Sequence, residues 1–281
     1  MTEPSTYFIY ILADTPANGL EEKPRDMSPF LSPVDGSIHV YKTNSGCTIY
    51  KFLDDICFLL APGGRDEEIK AQYPGCCPLW RKVIMRDEYL APENISKQLR
   101  GSSTLQLGEN NCFATGGGNL VVFSPHGVHI SRKDDGAWGA SAFERDVKKT
   151  IECYLLALAY QKKSETLLQR AIAAFDNGQA QAMIDARDAL CAFDLKYFFA
   201  NPVRMEVFET HALWRMAAWH CGIKAAHDEI KSQILELATI IENRRRDSEE
   251  ARQRRLERNL TLIGLFLSAV SLLGLVKSFW Q

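Results

Sequence analysis

The chain has 281 residues, 46% of them hydrophobic, which is ample for one or two packed domains. Its 33 basic side chains nearly balance 35 acidic ones, for a formal net charge of −2. No global field recruits anionic partners, so nucleic acid is excluded as the expected partner.

Residues 1–138 read as a β-rich, irregular α/β head. The opening MTEPSTYFIYILADTP has an acid in place of a basic n-region, and its apolar run is too short for a signal peptide. Apolar runs of strand length fall at Tyr7–Leu12, Ile38–Tyr41, Thr48–Phe52, Ile56–Leu60, Leu120–Phe123 and Val128–Ser131. The Pro- and Gly-rich clusters PVDG, PGGRDE, YPGCCP, GGGN, SPHG and KDDG separate them. In LVVF-SPHG-VHIS, Pro125 suits the second position of a tight turn and Gly127 its exit, which predicts a β-hairpin. Spaced apolar residues over Arg81–Leu99 predict a helix.

Eight cysteines, at 47, 57, 76, 77, 112, 153, 191 and 221, show no CxxC pair. Several lie in apolar runs, where a free thiol acts as a small hydrophobe, and this usage fits a reducing compartment. Cys76 and Cys77, flanked by Pro74, Gly75 and Pro78, read as part of a turn.

From Gly139 the pattern becomes helical. Ser141 and Glu144 have capping-box spacing, and a first long helix is expected to stop at Asn177–Gly178. A second helix runs to Asn201–Pro202. A third starts near Val203 and meets no further proline. Ile223, Ile230, Ile234, Leu237 and Ile241 keep a/d spacing, a seam for a partner helix and a coiled-coil signature. Glu242–Arg246 and Glu250–Arg254 are acid-first pairs that keep an isolated helix stable. Residues 139–259 are thus read as a helical stalk.

The run Leu260–Val276, LTLIGLFLSAVSLLGLV, has 17 residues and no charge. It covers roughly 25 Å at about 1.5 Å per residue, against a hydrocarbon core of ~30 Å. A helix apolar on every side is deeply buried or lies in lipid. Phe279 and Trp280 suit a headgroup region, and Lys277 is placed to snorkel. Residues 260–280 are read as one transmembrane helix. Its approach carries Arg244, Arg245, Arg246, Arg252, Arg254, Arg255 and Arg258, a membrane-proximal basic cluster that holds this flank in the cytoplasm. Thr261, Gly264, Ser268, Ser271 and Gly274 share one face of the span, and small residues let membrane helices approach closely. That face is expected to self-associate.

Other constellations read as structural. His211, His220 and His227 fall on one helical pattern; the i,i+4 partner of His220 is Lys224, a poor metal ligand. His126 and His129 bracket the hairpin turn. Thr115-Gly-Gly-Gly-Asn119 leads into a strand, whereas a phosphate cradle leads into a helix N-terminus. Trp214, Met216 and Trp219 form an aromatic stripe expected to pack on neighbouring helices. No Ser-His-Asp or Cys-His set carries a nucleophile elbow. The chain is therefore read as a non-enzyme with no catalytic residue, no cofactor and no metal.

An α/β head, two shorter helices, a charged stalk helix and a C-terminal span together resemble the CorA superfamily of divalent-cation channels. The order is as similar to the single-span membrane proteins named as required for meiotic nuclear division. The similar part is Phe198–Val276, from FFANPVRMEVFETHALWR through RLERNLTLIGLFLSAVSLLGLV. CorA channels have two spans and a Gly-Met-Asn selectivity filter; one span is read here and that tripeptide does not occur. No filter residue carries over. Some CorA-like relatives act as ligand-triggered membrane effectors in antiviral defence, which the resemblance implies for a head that senses a signal.

The combined expectation is an α+β protein of the cell (inner) membrane, single-pass, with a cytoplasmic head, long antiparallel helices and a homo-oligomeric stalk. Ion transport or membrane permeabilisation gated by a small-molecule or protein ligand at the head is the expected function. A tethered scaffold whose head binds a protein partner is the alternative.

Overall fold

The computed structural model describes residues 5–13, 20–22, 29–86, 90, 92–100, 111–132, 139–204 and 206–279. Side chains are described for these except 21, 32, 92–93, 100, 139–140, 266–267 and 269–279. The fold is α+β, with a mixed sheet in the first half and long helices after it.

The strands are β1 (Ser5–Leu12), β2 (Glu21–Glu22), β3 (His39–Lys42), β4 (Thr48–Phe52), β5 (Ile56–Pro62), β6 (Cys77–Arg86), β7 (Cys112–Ala114), β8 (Asn119–Ser124) and β9 (Gly127–Arg132). Among the described residues they form one sheet in the order β2-β3-β4-β5-β1-β6-β9-β8-β7. Every pairing is antiparallel except β6 with β9. Five of the six predicted apolar runs lie wholly in strands, and the sixth, Ile38–Tyr41, enters β3 at His39. Both β8 and β9 are buried along almost their whole length, as strands covered on two faces must be.

Short helices α1 (Ser32–Asp35), α2 (Asp66–Gln72) and α3 (Pro92–Arg100) decorate the sheet. The helix expected over Arg81–Leu99 is corrected in its first part. Arg81–Arg86 is the end of strand β6, and only Pro92–Arg100 is helical. The β-branched pair Val83 and Ile84 sits in the middle of the sheet, hydrogen-bonded to β1 on one side and β9 on the other, and that pairing overrides the helical spacing. A bulge in the β1–β6 ladder places Trp80 at φ 56° and leaves it 81% exposed.

The long helices are α4 (Gly139–Asp176), α5 (Ala180–Lys196), α6 (Phe208–His220) and α7 (Ile223–Phe279). α4 ends where the sequence signalled. Gly178 adopts φ 63°, its N–H donates to Phe175 O, and Gln179 N–H donates to Ala174 O, a Schellman stop.

The third helical pattern is corrected twice. Val203 does not begin a helix: it bridges to Phe30, with Leu31 N–H donating to Pro202 O at 2.7 Å and Arg204 N–H to Pro29 O at 2.8 Å. The helix then breaks at Gly222, whose φ of 62° ends α6 before α7 starts. Even so, α7 keeps 57 residues of helix, roughly 85 Å at 1.5 Å per residue.

The chain divides into two compact units, Met1–Leu167 with Leu190–Lys231, and Leu168–Ala189 with Ser232–Gln281. In the first, Tyr154, Tyr160, Phe123, Phe58 and Trp214 are fully buried. In the second, Ile234 and Ile241 are buried, and Ile241 shares a small cavity with Met183 and Ile184 of α5. The a/d seam is thus covered, at this level, by helices of the same chain. A helical hairpin can satisfy a heptad seam as well as a second copy can.

Candidate functional site

A cleft with a volume of about 520 Å³ lies along α6. Phe113, Trp214, Met216 and Trp219 give it apolar walls, and Arg215 and Lys224 bring two cations to it. Clefts of this size with apolar walls and a few charged groups are the usual form of a recognition site. Phe208, Ala212, Arg215 and Trp219 succeed one another at three- and four-residue steps, so they form one stripe on α6. Its two ends are bare: Phe208 is 79% exposed and Trp219 78%. The expected packing stripe is therefore divided. Trp214 is buried, edge-on to Tyr160 at 5.7 Å, with its indole N–H donating to Ala200 O at 3.2 Å. Trp219 is not packed.

The three histidines do not converge. His220 stacks on Phe123, with centroids 6.4 Å apart, beside Asn111. His227 is buried: its Nε2 lies 2.9 Å from Asp194 Oδ1, its Nδ1 lies 3.4 Å from Ser164 Oγ, and Phe198 covers the ring at 3.6 Å. The composition is that of a Ser-His-Asp relay, but Ser164 is 2% exposed, on the inner face of α4, so a substrate carbonyl has no approach to it. Cys221 meets Arg81, whose Nη1 lies 3.8 Å from its sulfur; burial pushes the Cys221 thiol up to about 11. His211 is half-buried on α6. Among the described residues, no group of three or more His, Cys, Asp or Glu side chains has a metal-binding arrangement.

The glycine-rich segment forms the β7–β8 turn and is occupied by the protein's own acids. Asp146 Oδ2 accepts from Thr115 Oγ1 and Asn119 Nδ2, both at 2.7 Å. Gly116 N–H donates to Glu209 Oε1 at 2.7 Å, and Lys149 neutralises Glu209 at 3.0 Å. A Cβ on Gly117 would stand 2.9 Å from Asp146 Oδ2, so the glycine lets this carboxylate close on the backbone. With two carboxylates already seated, the turn repels phosphate.

Of the hairpin histidines, His126 is exposed in the turn and His129 is buried within β9. Cys76 ends a turn whose Gly75 has φ 90°, and the exposed Cys77 begins β6. The β4–β5 turn carries positive φ at Leu53 and Asp54, neither of which is glycine. Tyr197 donates to Asp54 and, with Lys196, holds its carboxyl below the usual range. These residues pin a strained turn to the end of α5.

The arginines of the expected membrane approach lie exposed on α7. Arg245 pairs with Glu249 at 2.8 Å, Arg246 with Glu242 at 2.7 Å and Arg254 with Glu250 at 3.3 Å. Arg244 stands over the Phe175 ring. Arg252, Arg255 and Arg258 are exposed on the same helix. Of the small-residue face, Thr261 and Ser268 donate to the carbonyls of Glu257 and Gly264, while the side chains at Ser271 and Gly274 lie outside the described residues. Among the described residues no helix is long and apolar enough to cross a membrane, and described side chains in the apolar run stop at Leu265, with Ser268 beyond. No family model, curated protein or solved structure matches the chain.

Proposed function

We propose that the protein is a CorA-like, membrane-anchored, oligomeric effector. Its cytoplasmic head receives a signal, and its last helix enters the bilayer and passes ions or permeabilises it. One observation carries the reading. Leu260, Leu262, Ile263 and Leu265 are 67%, 58%, 56% and 64% exposed. At 100° per residue these four point in four different directions around α7. An aliphatic surface bare on every side needs lipid or neighbouring helices to cover it. The arginines just before it favour an anchored cytoplasmic flank.

Two measurements test the proposal. The full chain floats with lipid vesicles and a chain ending at Asn259 does not. Ion flux through vesicles holding the full chain rises above that of empty vesicles. A full chain that stays in the soluble fraction sinks the anchor, and tight vesicles under every condition sink the effector.

The second reading is a tethered scaffold, favoured by the bare stripe on α6. Exposed Phe208 and Trp219 flanking Arg215 suit an apolar, acidic segment of a partner protein. Replacing the apolar tail with an unrelated single-pass helix preserves function under this reading and abolishes it under the first.

A further inference from the structure

A second polar cluster lies beneath α3, on the sheet face opposite α4. Ile84, Leu120 and Val122 pack there with Ile95 and Leu99 of α3. His129 is the cross-strand partner of both Ile84 and Val122, and Ser131 is the partner of Leu120 and of Arg86. Directly paired residues share a face. Arg86, His129 and Ser131 therefore project together toward α3, from the carboxyl ends of the two strands that run parallel. In α/β sheets, the carboxyl end of a parallel pair is the usual place for a ligand.

Five polar atoms of this cluster lack hydrogen-bond partners. His129 and Ser131 are 0% exposed. Both ring nitrogens of His129, the Ser131 hydroxyl, Arg86 Nε and Gln98 Oε1 on α3 are buried with no hydrogen bond among the described residues. Five orphaned polar atoms on the sheet and the helix above it is unusual, because a buried donor or acceptor left unpaired keeps its desolvation penalty. Native interiors keep such groups for a bound ion, water or ligand. Arg86 itself is half-buried, so part of it reaches water.

The orphans define their complement. Arg86 and Ser131 donate, a neutral His129 donates from one nitrogen and accepts at the other, and Gln98 Oε1 accepts. Among these four side chains, the fixed charge is that of one guanidinium. The groups come from two strands and a covering helix, so they approach from more than one element. A flat carboxylate uses donors in its own plane. A tetrahedral, singly protonated phosphate offers acceptor oxygens and one hydroxyl donor in three dimensions.

We propose that Arg86, His129, Ser131 and Gln98 form a buried site for a phosphate group, held free or as the monoester of a small metabolite. This does not rest on the membrane reading, because the site belongs to the head and its occupancy is read without a bilayer.

The experiment uses the full chain in detergent, with inorganic phosphate, adenosine 5′-monophosphate and acetate as separate probes. Calorimetry reads affinity and thermal unfolding reads stabilisation. Saturable binding of phosphate or of the monoester, with Tm raised by several degrees and no response to acetate, is the expected result. Phosphate alone assigns a free ion; a monoester at least tenfold tighter assigns an esterified ligand. Arg86→Met and Ser131→Ala each weaken binding tenfold or more, and the small Ser131 change keeps the test readable should Arg86→Met not fold. His129→Phe abolishes binding while raising the ligand-free Tm, because it removes two orphaned nitrogens. The proposal is overturned by no saturable response to either phosphate probe, or by unchanged affinity in Ser131→Ala and Arg86→Met.

Discussion

His227 Nε2 lies 2.9 Å from Asp194 Oδ1 in the interior between α4, α5 and α7, with Lys231 on the other carboxylate oxygen at 2.5 Å. Burial lowers the His227 pKa below its ordinary value; Asp194 opposes this and Lys231 reinforces it. His129 is driven further down, to about 4, by burial and by Arg86. Both groups bind protons more readily unfolded than folded, so stability is complete above pH ~6.5 and is lost as pH falls toward the folded pKa values. Tm should be flat from pH 8 to 7 and decline between pH 6.5 and 4.5. His227→Leu and His129→Leu should each make that decline shallower; an equal slope in both variants rejects the assignment.

Asp146 ties the β7–β8 turn to α4 through two hydrogen bonds made inside the protein. Asp146→Ala strands the Thr115 hydroxyl and the Asn119 amide without acceptors. Bonds to a charged acceptor are worth about 1.5–3 kcal/mol each, so a loss of about 3 kcal/mol is expected in denaturant unfolding. Asp146→Asn keeps one acceptor oxygen and should lose less than half as much.

Trp214 and Trp219 belong to one predicted stripe and occupy opposite environments. Trp214→Ala removes a buried indole and its bond to Ala200 O, at a cost of about 3–5 kcal/mol. Trp219→Ala changes an exposed side chain and should stay within about 0.5 kcal/mol of the parent. Equal losses in the two variants would show that Trp219 is covered by another copy or partner under the assay conditions.

That pair shows where sequence is informative. The β8–β9 hairpin and the stop of α4 at Gly178 were legible because their signals are local: a Pro-His-Gly turn, and a glycine after a periodic helix. The sheet order was not, since nothing in RKVIMR names β1 and β9 as its neighbours. Gly222 hides inside a periodic pattern, and Val203 is claimed by Phe30 from 173 residues away. The a/d seam announced a partner helix without saying that the chain itself supplies cover. The phosphate site beneath α3 left no motif, because Arg86 and Ser131 meet only through the β6–β9 register.

Gly127 starts that register. Its φ of 151° lies in a region that side-chain-bearing residues avoid, and a Cβ there would stand 2.1 Å from Lys82 O and 2.9 Å from Lys82 N. Those are backbone atoms of β6, hydrogen-bonded in turn through Lys82 N–H to His126 O, so they have little freedom to retreat. Gly127→Ala must push the two parallel strands apart at their first pair. The cost should exceed about 3 kcal/mol, beyond the range of ordinary substitutions. Gly118→Ala is the control: φ is 78° but nothing lies within 4 Å of the added methyl, so only backbone strain of about 1 kcal/mol is expected. Denaturation midpoints of the two variants separate close approach from glycine's backbone freedom. Because Arg86 and Ser131 are aligned by the strands that Gly127 lets converge, any Gly127→Ala protein that folds should also bind phosphate more weakly, whereas Gly118→Ala should bind it unchanged.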